Sequence, residues 1–288
     1  MTKTATITVQ PTGAALGADI LGVDVSQPLD DATFGKIKAA WHDHLVLRFR
    51  DARLTDAQLV AFSRRFGDLD EARLDEYKEF VPGQPEIIII SNVNVNGQPI
   101  GILGADEADW HTDLAYEERP PKASLLYSWE VPETGGNTSF LNMYLAFETL
   151  VPELKAVVDG KFCKHDSSHR ITGTLRGGGE YGEIADPREA PGAVHPLVRT
   201  HPVTGRKALY LGRRRLSYVM GMTVADSEKL LDSLWLHAQQ KAFVWTHVWR
   251  PGDLVLWDNR CAMHQRDAFD PNSRRIMHRT QVKGDKPC

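Results

Sequence analysis

The chain has 288 residues, of which 42% are hydrophobic and 25% are charged, and these values exclude a disordered, collagen-like or coiled-coil protein. Its 34 basic and 38 acidic residues give a net charge of -4, without the basic excess that nucleic-acid binding requires. The longest apolar runs, at 87–90 and 254–257, fall far below the roughly 18 residues of a membrane span, and the polar start MTKTATITVQ lacks a signal-peptide core. We therefore expect a cytoplasmic protein with neither nucleic-acid nor membrane partners.

Three helices are predicted, each beginning at a residue that can cap its first turn: around 34–41 after Asp30 or Asp31, at Thr55 with Gln58 in a capping-box pattern, and after Thr223. Runs of β-type residues predict strands at 44–49, 86–91, 123–129, 138–141, 197–200, 208–211, 243–249, 254–257 and 276–282. Glycine and proline turns between these runs favour an antiparallel β-core with helices outside, so the fold class is mainly β with flanking helices (α+β).

No repeat or linker divides the chain, so residues 1–288 are predicted to form a single domain. The stretch at about 163–194, which contains GGG at 177–179, has few strand or helix signals. Long segments of this kind in compact domains are usually functional. We interpret it as an insertion or lid over an active site.

The chemistry of the chain is indicated first by His111 and Asp113. In an extended segment residues i and i+2 point to the same side, so the imidazole and the carboxylate can reach one ion. By chance alone, about one such His-x-Asp pair is expected in a chain of this composition, so the pair needs support from elsewhere. His264 supplies it, because it follows the apolar run at 254–257 and can approach from a neighbouring strand. Two imidazoles and one carboxylate form the ligand set of non-heme Fe(II) oxygenases.

Two arginines follow in the string RRIMHR at 274–279. If this segment is a strand, Arg275 and Arg279 lie on one face, about 13 Å apart. A planar guanidinium binds a carboxylate through two hydrogen bonds, so one arginine can hold a chelating dicarboxylate and the other a second anion. Solvated arginines on an edge strand are the alternative interpretation.

With these residues and the motifs around them, the sequence resembles the taurine dioxygenase and 2,4-dichlorophenoxyacetate dioxygenase family of iron- and 2-oxoglutarate-dependent oxygenases. The resemblance extends over nearly the whole chain. It is carried by PTGAALGADILGVDVS at 11–26, FSRRFGDL at 62–69, WHTDLAYEERPPKASLL at 110–126, GGNTSF at 135–140, WDNRCAMH at 257–264 and RRIMHR at 274–279.

The resemblance implies a double-stranded β-helix, or jelly roll, with supporting helices. It implies that His111, Asp113 and His264 bind Fe(II), and that Thr138 and Arg275 hold the distal carboxylate of 2-oxoglutarate. Arg279 matches a family arginine that faces the anionic group of the primary substrate. The implied reaction consumes O2 and converts 2-oxoglutarate to succinate and CO2 while a substrate carbon is hydroxylated.

The substrate expected is a small organic acid, either an aryloxyalkanoate or an alkyl sulfonate or sulfate. Cleavage at the hydroxylated carbon is expected, and hydroxylation without cleavage is the alternative. Asp70 stands where taurine-specific members carry a substrate-binding histidine, and Glu107 stands where they carry an asparagine, which argues against taurine itself. Tyr116 is a further candidate for the rim of the substrate pocket. Members of the family commonly form homo-oligomers, so a dimer or tetramer is expected.

Two other functions use the same residues. A zinc-dependent hydrolase accepts the same His, Asp and His ligands and keeps an open position for water. A non-catalytic jelly-roll binding module would keep the fold without turnover. Metal identity and oxygen uptake that depends on 2-oxoglutarate distinguish the three.

Overall fold

The computed structural model describes residues 7–71, 80–105, 108–169, 174–176 and 182–288. The helices of this part of the chain are α1 (Asp31–His44), α2 (Asp56–Arg64), α3 (Met143–Glu148), α4 (Pro152–Val158) and α5 (Val224–Ala238). Among these residues, no helix has both the length and the apolar character needed to cross a membrane.

The strands in chain order are β1 (Thr8–Pro11), β2 (Ala18–Leu21), β3 (Val46–Phe49), β4 (Phe80–Val81), β5 (Gln84–Ser91), β6 (Asn94–Val95), β7 (Gln98–Pro99), β8 (Ile102–Leu103), β9 (Ala108–His111), β10 (Ala123–Glu130), β11 (Thr138–Asn142), β12 (Phe162–Lys164), β13 (Val194–Pro196), β14 (Val198–Thr200), β15 (Lys207–Leu209), β16 (Tyr218–Val219), β17 (Val244–His247), β18 (Leu254–Asp258), β19 (Ala262–Arg266) and β20 (Ile276–Val282).

Two sheets form the body of the protein. The larger sheet has the strand order β1-β2-β3-β18-β10-β20-β5-β4, with β8 beside β5, and the smaller sheet has the order β17-β11-β19-β9. The central pairs of the larger sheet and the pairs of the smaller sheet are antiparallel. This arrangement matches the antiparallel core predicted from the turn residues.

The central strands of the larger sheet are buried on both faces. Leu125 and Leu256 are opposite each other on β10 and β18 and pack with α1 and α2, whereas Leu126 and Val255 pack toward the smaller sheet. Since side chains alternate between the two faces of a strand, burial on both faces requires an unbroken apolar run. Helices therefore cover one face and the smaller sheet covers the other, which is the predicted jelly roll with supporting helices.

The three predicted helices begin at the predicted caps. Asp30 accepts a hydrogen bond from the first turn of α1, Thr55 and Gln58 form the capping box of α2, and Thr223 caps α5. These side chains satisfy backbone N–H groups that a helix start leaves unpaired.

Each predicted strand has an observed counterpart, and the clearest boundary difference lies before β3. Residues 44 and 45 were expected in the strand, but α1 continues to His44 and the Leu45 N–H bonds the carbonyl of Trp41. Leu45 adopts φ 65°, a left-handed conformation that turns the chain before Val46. The short helices α3 and α4 were not predicted.

The predicted insertion at 163–194 is described only in part, since 170–173 and 177–181 lie outside the described residues. The ends of the segment belong to a separate three-stranded sheet, in which β12 pairs with β13 and β16, and His165 and His169 are buried. Its closure over the site remains a prediction.

Candidate metal centre and adjoining cavities

The three predicted metal ligands meet between the two sheets. His111 is the last residue of β9 and lies opposite His264 of β19 in the strand register. Beyond His111 the strand ends and the chain turns, with Leu114 at φ 47°. Asp113 therefore reaches the two imidazoles through a turn, and not through the extended segment that the sequence predicted. A leucine in the left-handed region is strained, and such strain is common at functional sites.

The geometry of this centre suits one metal ion. The Asp113 Oδ1 atom lies 3.8 Å from His111 Nε2 and 3.9 Å from His264 Nε2. One ligand atom from each residue lies within 4.8 Å of the others, and all three residues are buried. His111 Nδ1 lies 2.7 Å from the Asp109 carbonyl, so a proton donated there leaves Nε2 free for a metal.

The charges of the three residues also suit a cation. Burial lowers the pKa of His111 well below its ordinary value and that of His264 to about 4, so both imidazoles are neutral near pH 7. Burial acts to raise the pKa of Asp113, but the charge of Arg279 and the neighbouring imidazoles outweigh it and lower this pKa. The centre thus offers two neutral nitrogen donors and an ionised carboxylate.

A hydrogen-bond network behind the centre orients Asp113. The Ser124 hydroxyl donates to Asp113 Oδ2 at 2.7 Å and accepts from the Asn259 amide at 3.0 Å. The Trp257 indole in turn donates to the Asn259 carbonyl oxygen at 2.9 Å. No role was predicted for Ser124 or Asn259, although Asn259 lies in the WDNR motif. Outer-sphere partners of this kind fix the geometry of metal ligands.

A cavity adjoins the centre on the side of β11 and β20; we call it the inner cavity. Its described lining residues are Ile90, Leu103, Ala108, His111, Leu126, Thr138, Trp257, His264, Arg266, Arg275 and Arg279. The structure thus brings Thr138 and Arg275 together beside the metal centre, as predicted, with Arg279 lining the same space.

Positive charge is concentrated in the inner cavity. Arg275 is only 2% exposed, and its Nε atom has no hydrogen-bond partner in the described part of the chain. Burial and the charge of Arg266 lower the pKa of Arg275 to about 9, which leaves the guanidinium charged at pH 7. None of the described lining residues is a carboxylate. Arg266 was not predicted, because its position opposite Thr138 depends on the pairing of β11 with β19.

The glycines of the GGNTSF motif allow the chain to pass close to Arg275. Gly136 adopts φ 62°, and a Cβ atom at this position would lie 3.3 Å from Arg275 Nε and from the ring of Phe269. A Cβ atom at Gly135 would lie 2.6 Å from the carbonyl oxygen of Ala268. Larger residues would therefore displace the segment that leads into Thr138.

A larger cavity of about 300 Å³, the outer cavity, opens on the other side of Arg279. Its described lining residues are Asp70, Glu71, Glu86, Ile88, Leu114, Glu117, Glu118, Arg119, Arg279 and Gln281. Two predicted substrate residues, Asp70 and Arg279, thus share one cavity. Arg279 also donates from Nη1 to Asp113 Oδ1 at 3.1 Å, a contact that the sequence did not predict.

The remaining predicted substrate residues have different positions. Tyr116 is buried, and the guanidinium carbons of Arg176 and Arg213 lie 4.2 and 4.9 Å from its ring centroid. Tyr116 is not among the described lining residues of either cavity. Glu107 lies outside the described residues.

A second group with possible ligand atoms consists of His201, Asp258 and Cys261. Arg260 donates to both carboxylate oxygens of Asp258, at 2.8 and 2.6 Å. His201 Nδ1 accepts from two backbone N–H groups, so its Nε2–H donates to Asp258 at 3.1 Å. The polar atoms of His201 and Asp258 are therefore used within the protein, and this group is a structural network.

Comparison with known proteins gave consistent matches. The family model described as "Taurine catabolism dioxygenase TauD, TfdA family" matches residues 8–281. A (S)-phenoxypropionate/alpha-ketoglutarate-dioxygenase from Sphingobium herbicidovorans is 35% identical over 290 residues, covering 96% of this chain and 95% of that protein. Pentalenolactone F synthase from Streptomyces arenae is 33% identical over 293 residues, covering 96% and 95%.

Among solved structures, a taurine dioxygenase from Burkholderia xenovorans superposes with a TM-score of 0.80 at 33% identity. The superposition covers 98% of this chain and 90% of that one.

Proposed function

The chain belongs to the taurine catabolism dioxygenase TauD, TfdA family and is an α-ketoglutarate-dependent dioxygenase; we propose that it uses Fe(II) to hydroxylate a small organic acid bound beside Arg279. The observation that carries this proposal is the buried positive charge of Arg275 next to the centre of His111, Asp113 and His264.

His111, Asp113 and His264 fit a divalent cation. They offer two neutral imidazole nitrogens and a carboxylate oxygen, and they leave coordination positions for exogenous ligands. Fe(II) bound there supplies the activation of O2 that is coupled to oxidative decarboxylation of 2-oxoglutarate. The protein contributes placement, since the Ser124 hydroxyl and the Asp109 carbonyl hold the ligands in one orientation.

The inner cavity is proposed to hold the distal carboxylate of 2-oxoglutarate. Burying a cation without a partner is costly, so Arg275 would be stabilised by an anionic ligand. Thr138 and Arg266 line the same space and supply further hydrogen-bond donors. A carboxylate is an acceptor at both oxygens, and its single negative charge offsets one of the two guanidinium charges.

Arg279 connects the two cavities. The inner cavity measures only about 50 Å³, and Arg279 bonds Asp113 at its edge. A complete 2-oxoglutarate therefore also needs the space beside the metal ligands. We expect Arg279 to turn from Asp113 toward the outer cavity when the cosubstrate and an anionic substrate bind.

The substrate is proposed to carry one anionic group that meets Arg279. The relative from Sphingobium herbicidovorans is named for phenoxypropionate, which has a single carboxylate, and pentalenolactone F synthase is named for its product. Among the described residues that line the outer cavity, carboxylates outnumber guanidinium groups, which disfavours a second anionic group on the substrate. Hydroxylation of a carbon bonded to an ether or sulfate oxygen gives a product that breaks at that bond.

The zinc hydrolase alternative gives no role to Arg275 or Thr138, and a non-catalytic module gives no role to a complete ligand set. No observation favours either one. Four further points remain predictions: a homo-oligomer, a cytoplasmic location, the single-domain boundary and the lid at 163–194. Light scattering tests the first of them.

The test is succinate release and oxygen uptake by Fe(II)-loaded protein, given 2-oxoglutarate with aryloxyacetates, aryloxypropionates, sulfonates or alkyl sulfates. Stimulation by one class identifies the substrate group. Slow oxygen uptake that no compound of the panel stimulates would support 2-oxoglutarate as the cosubstrate. It would contradict the proposal of an anionic primary substrate. An absence of 2-oxoglutarate consumption with every compound would contradict the proposed function.

A further inference from the structure

The indole of Trp249 lies directly behind the inner cavity. Its Nε1–H donates to the Oγ1 atom of Thr138 at 3.0 Å, and both side chains are buried. Thr138 on β11 is opposite His247 on β17 in the strand register, and the His247 ring packs edge-on against Trp249 at 4.3 Å. The contact therefore joins β11 to the segment that directly follows β17.

The direction of this hydrogen bond determines what the hydroxyl can do. An indole N–H is only a donor, so the Thr138 oxygen must accept. A threonine hydroxyl has one proton, which then needs a second acceptor, and none is found for it among the described residues. Arg275 and Arg266, which share the cavity with Thr138, carry only donors.

We propose that Trp249 is a positioning residue for 2-oxoglutarate, because its indole N–H occupies the acceptor side of Thr138 and directs the hydroxyl proton toward the distal carboxylate. This inference rests on the proposed function, since it assigns 2-oxoglutarate to the inner cavity. It adds that the described residues at this end of the cavity present donors alone, and so select a carboxylate over a carboxamide, whose NH2 group would meet other donors.

The experiment is a calorimetric titration of the full-length, Zn(II)-loaded protein with 2-oxoglutarate and, separately, with oxalate. Oxalate has the metal-chelating end but no distal carboxylate. In Trp249→Phe we expect about fivefold weaker 2-oxoglutarate binding, the usual effect of one lost hydrogen bond, and unchanged oxalate binding. Trp245→Phe is the matched control, since Trp245 lies on β17, four residues before Trp249, and stacks on Phe140; this variant should bind both compounds as the wild type does.

A double-mutant cycle separates positioning from packing. Thr138→Val removes the hydroxyl, so adding Trp249→Phe to Thr138→Val should cause no further loss of 2-oxoglutarate affinity. Full additivity of the two losses would overturn the proposal. So would unchanged 2-oxoglutarate binding in Trp249→Phe, or an equal loss of oxalate binding.

A second measurement does not depend on folding of the Trp249 variant. In 15N-labelled, Zn(II)-loaded wild type, the Trp249 indole proton resonance should move downfield when 2-oxoglutarate binds, because donation by Thr138 makes its oxygen a stronger acceptor. Oxalate should leave this resonance unchanged, and an equal shift with both ligands would contradict the proposal. If the wild type binds oxalate but not 2-oxoglutarate, or binds neither, the proposed function itself fails, and the inference fails with it.

Discussion

The two cavities that meet at Arg279 differ in charge and in construction. The described lining of the inner cavity carries guanidinium groups and hydroxyl and imidazole groups but no carboxylate, whereas carboxylates dominate the described lining of the outer cavity. A cavity lined by buried charges of one sign requires a ligand of the opposite charge. The cosubstrate can therefore be inferred from the inner cavity more sharply than the substrate can from the outer cavity.

The difference in construction explains why. Three residues of the inner cavity are buried and lie on or next to strands of the two sheets: Thr138, Arg266 and Arg275. Asp70, Glu117 and Glu118 lie on connecting segments. Loops vary while the scaffold that carries them persists, so a family can keep one cosubstrate and change its substrate.

The largest effect is expected from removal of a metal ligand. His264→Ala should abolish turnover and reduce metal binding far below one equivalent, because two remaining ligands hold a divalent ion poorly. Metal content after dialysis and succinate release measure this. Near-normal activity in His264→Ala would refute the assignment of the centre.

The second histidine cluster provides the matched control. His201→Ala removes a buried imidazole that bonds Asp258, so it should lower the thermal midpoint while metal stoichiometry stays at the wild-type value. Loss of metal from His201→Ala without unfolding would mean that the second cluster also binds metal.

The next largest effect tests the inner cavity. Arg275→Met should weaken 2-oxoglutarate binding about 100-fold, as expected for loss of a charge-assisted pair worth about 3 kcal/mol. The same change removes a buried charge that has no ion-pair partner in the described part of the chain, so the thermal midpoint of the metal-free protein should rise. Arg274→Met is the control, because that exposed side chain pairs with Glu130 at 2.6 Å. Equal losses of 2-oxoglutarate affinity in Arg275→Met and Arg274→Met would contradict the assignment of the inner cavity to the cosubstrate.

Arg279 tests the boundary between the cavities. Arg279→Ala should weaken binding of the primary substrate by about tenfold or more, while 2-oxoglutarate affinity changes by less than about threefold. Titrations of each ligand in the presence of the other measure both values. A larger loss of 2-oxoglutarate affinity than of substrate affinity would show that Arg279 acts mainly on the cosubstrate in the inner cavity.

The smallest effect concerns the charge of the outer cavity. Asp70→Asn removes one carboxylate near Arg279, so an anionic substrate should bind about two- to fivefold more tightly at low salt, with the gain reduced at high salt. Asp43→Asn, at an exposed position on α1, is the control. Weaker binding of the anion in Asp70→Asn would show that this carboxylate does not repel the substrate.

Much of the scaffold was predictable because local chemistry dictates it. The run at 254–257 is apolar since β18 is buried on both faces, and Thr55 with Gln58 marks a helix start by its own hydrogen bonds. The ligands His111, Asp113 and His264 could be named from spacing and from motifs. Their convergence through the left-handed turn at Leu114 could not.

The missed residues share one physical property. Ser124, Arg266 and Trp249 act through partners on other strands or segments, at separations fixed by sheet register. Register depends on the pairing of distant segments, which a single sequence does not show. The contact between Arg279 and Asp113 was missed for the same reason.

The most direct test of the central claim is equilibrium binding of 2-oxoglutarate to Fe(II)-loaded protein under nitrogen, in wild type, Arg275→Met and Arg274→Met. We predict one 2-oxoglutarate per chain in the wild type, the same in Arg274→Met, and binding about 100-fold weaker in Arg275→Met. Wild-type affinity in Arg275→Met would contradict the claim that the inner cavity holds the cosubstrate's distal carboxylate.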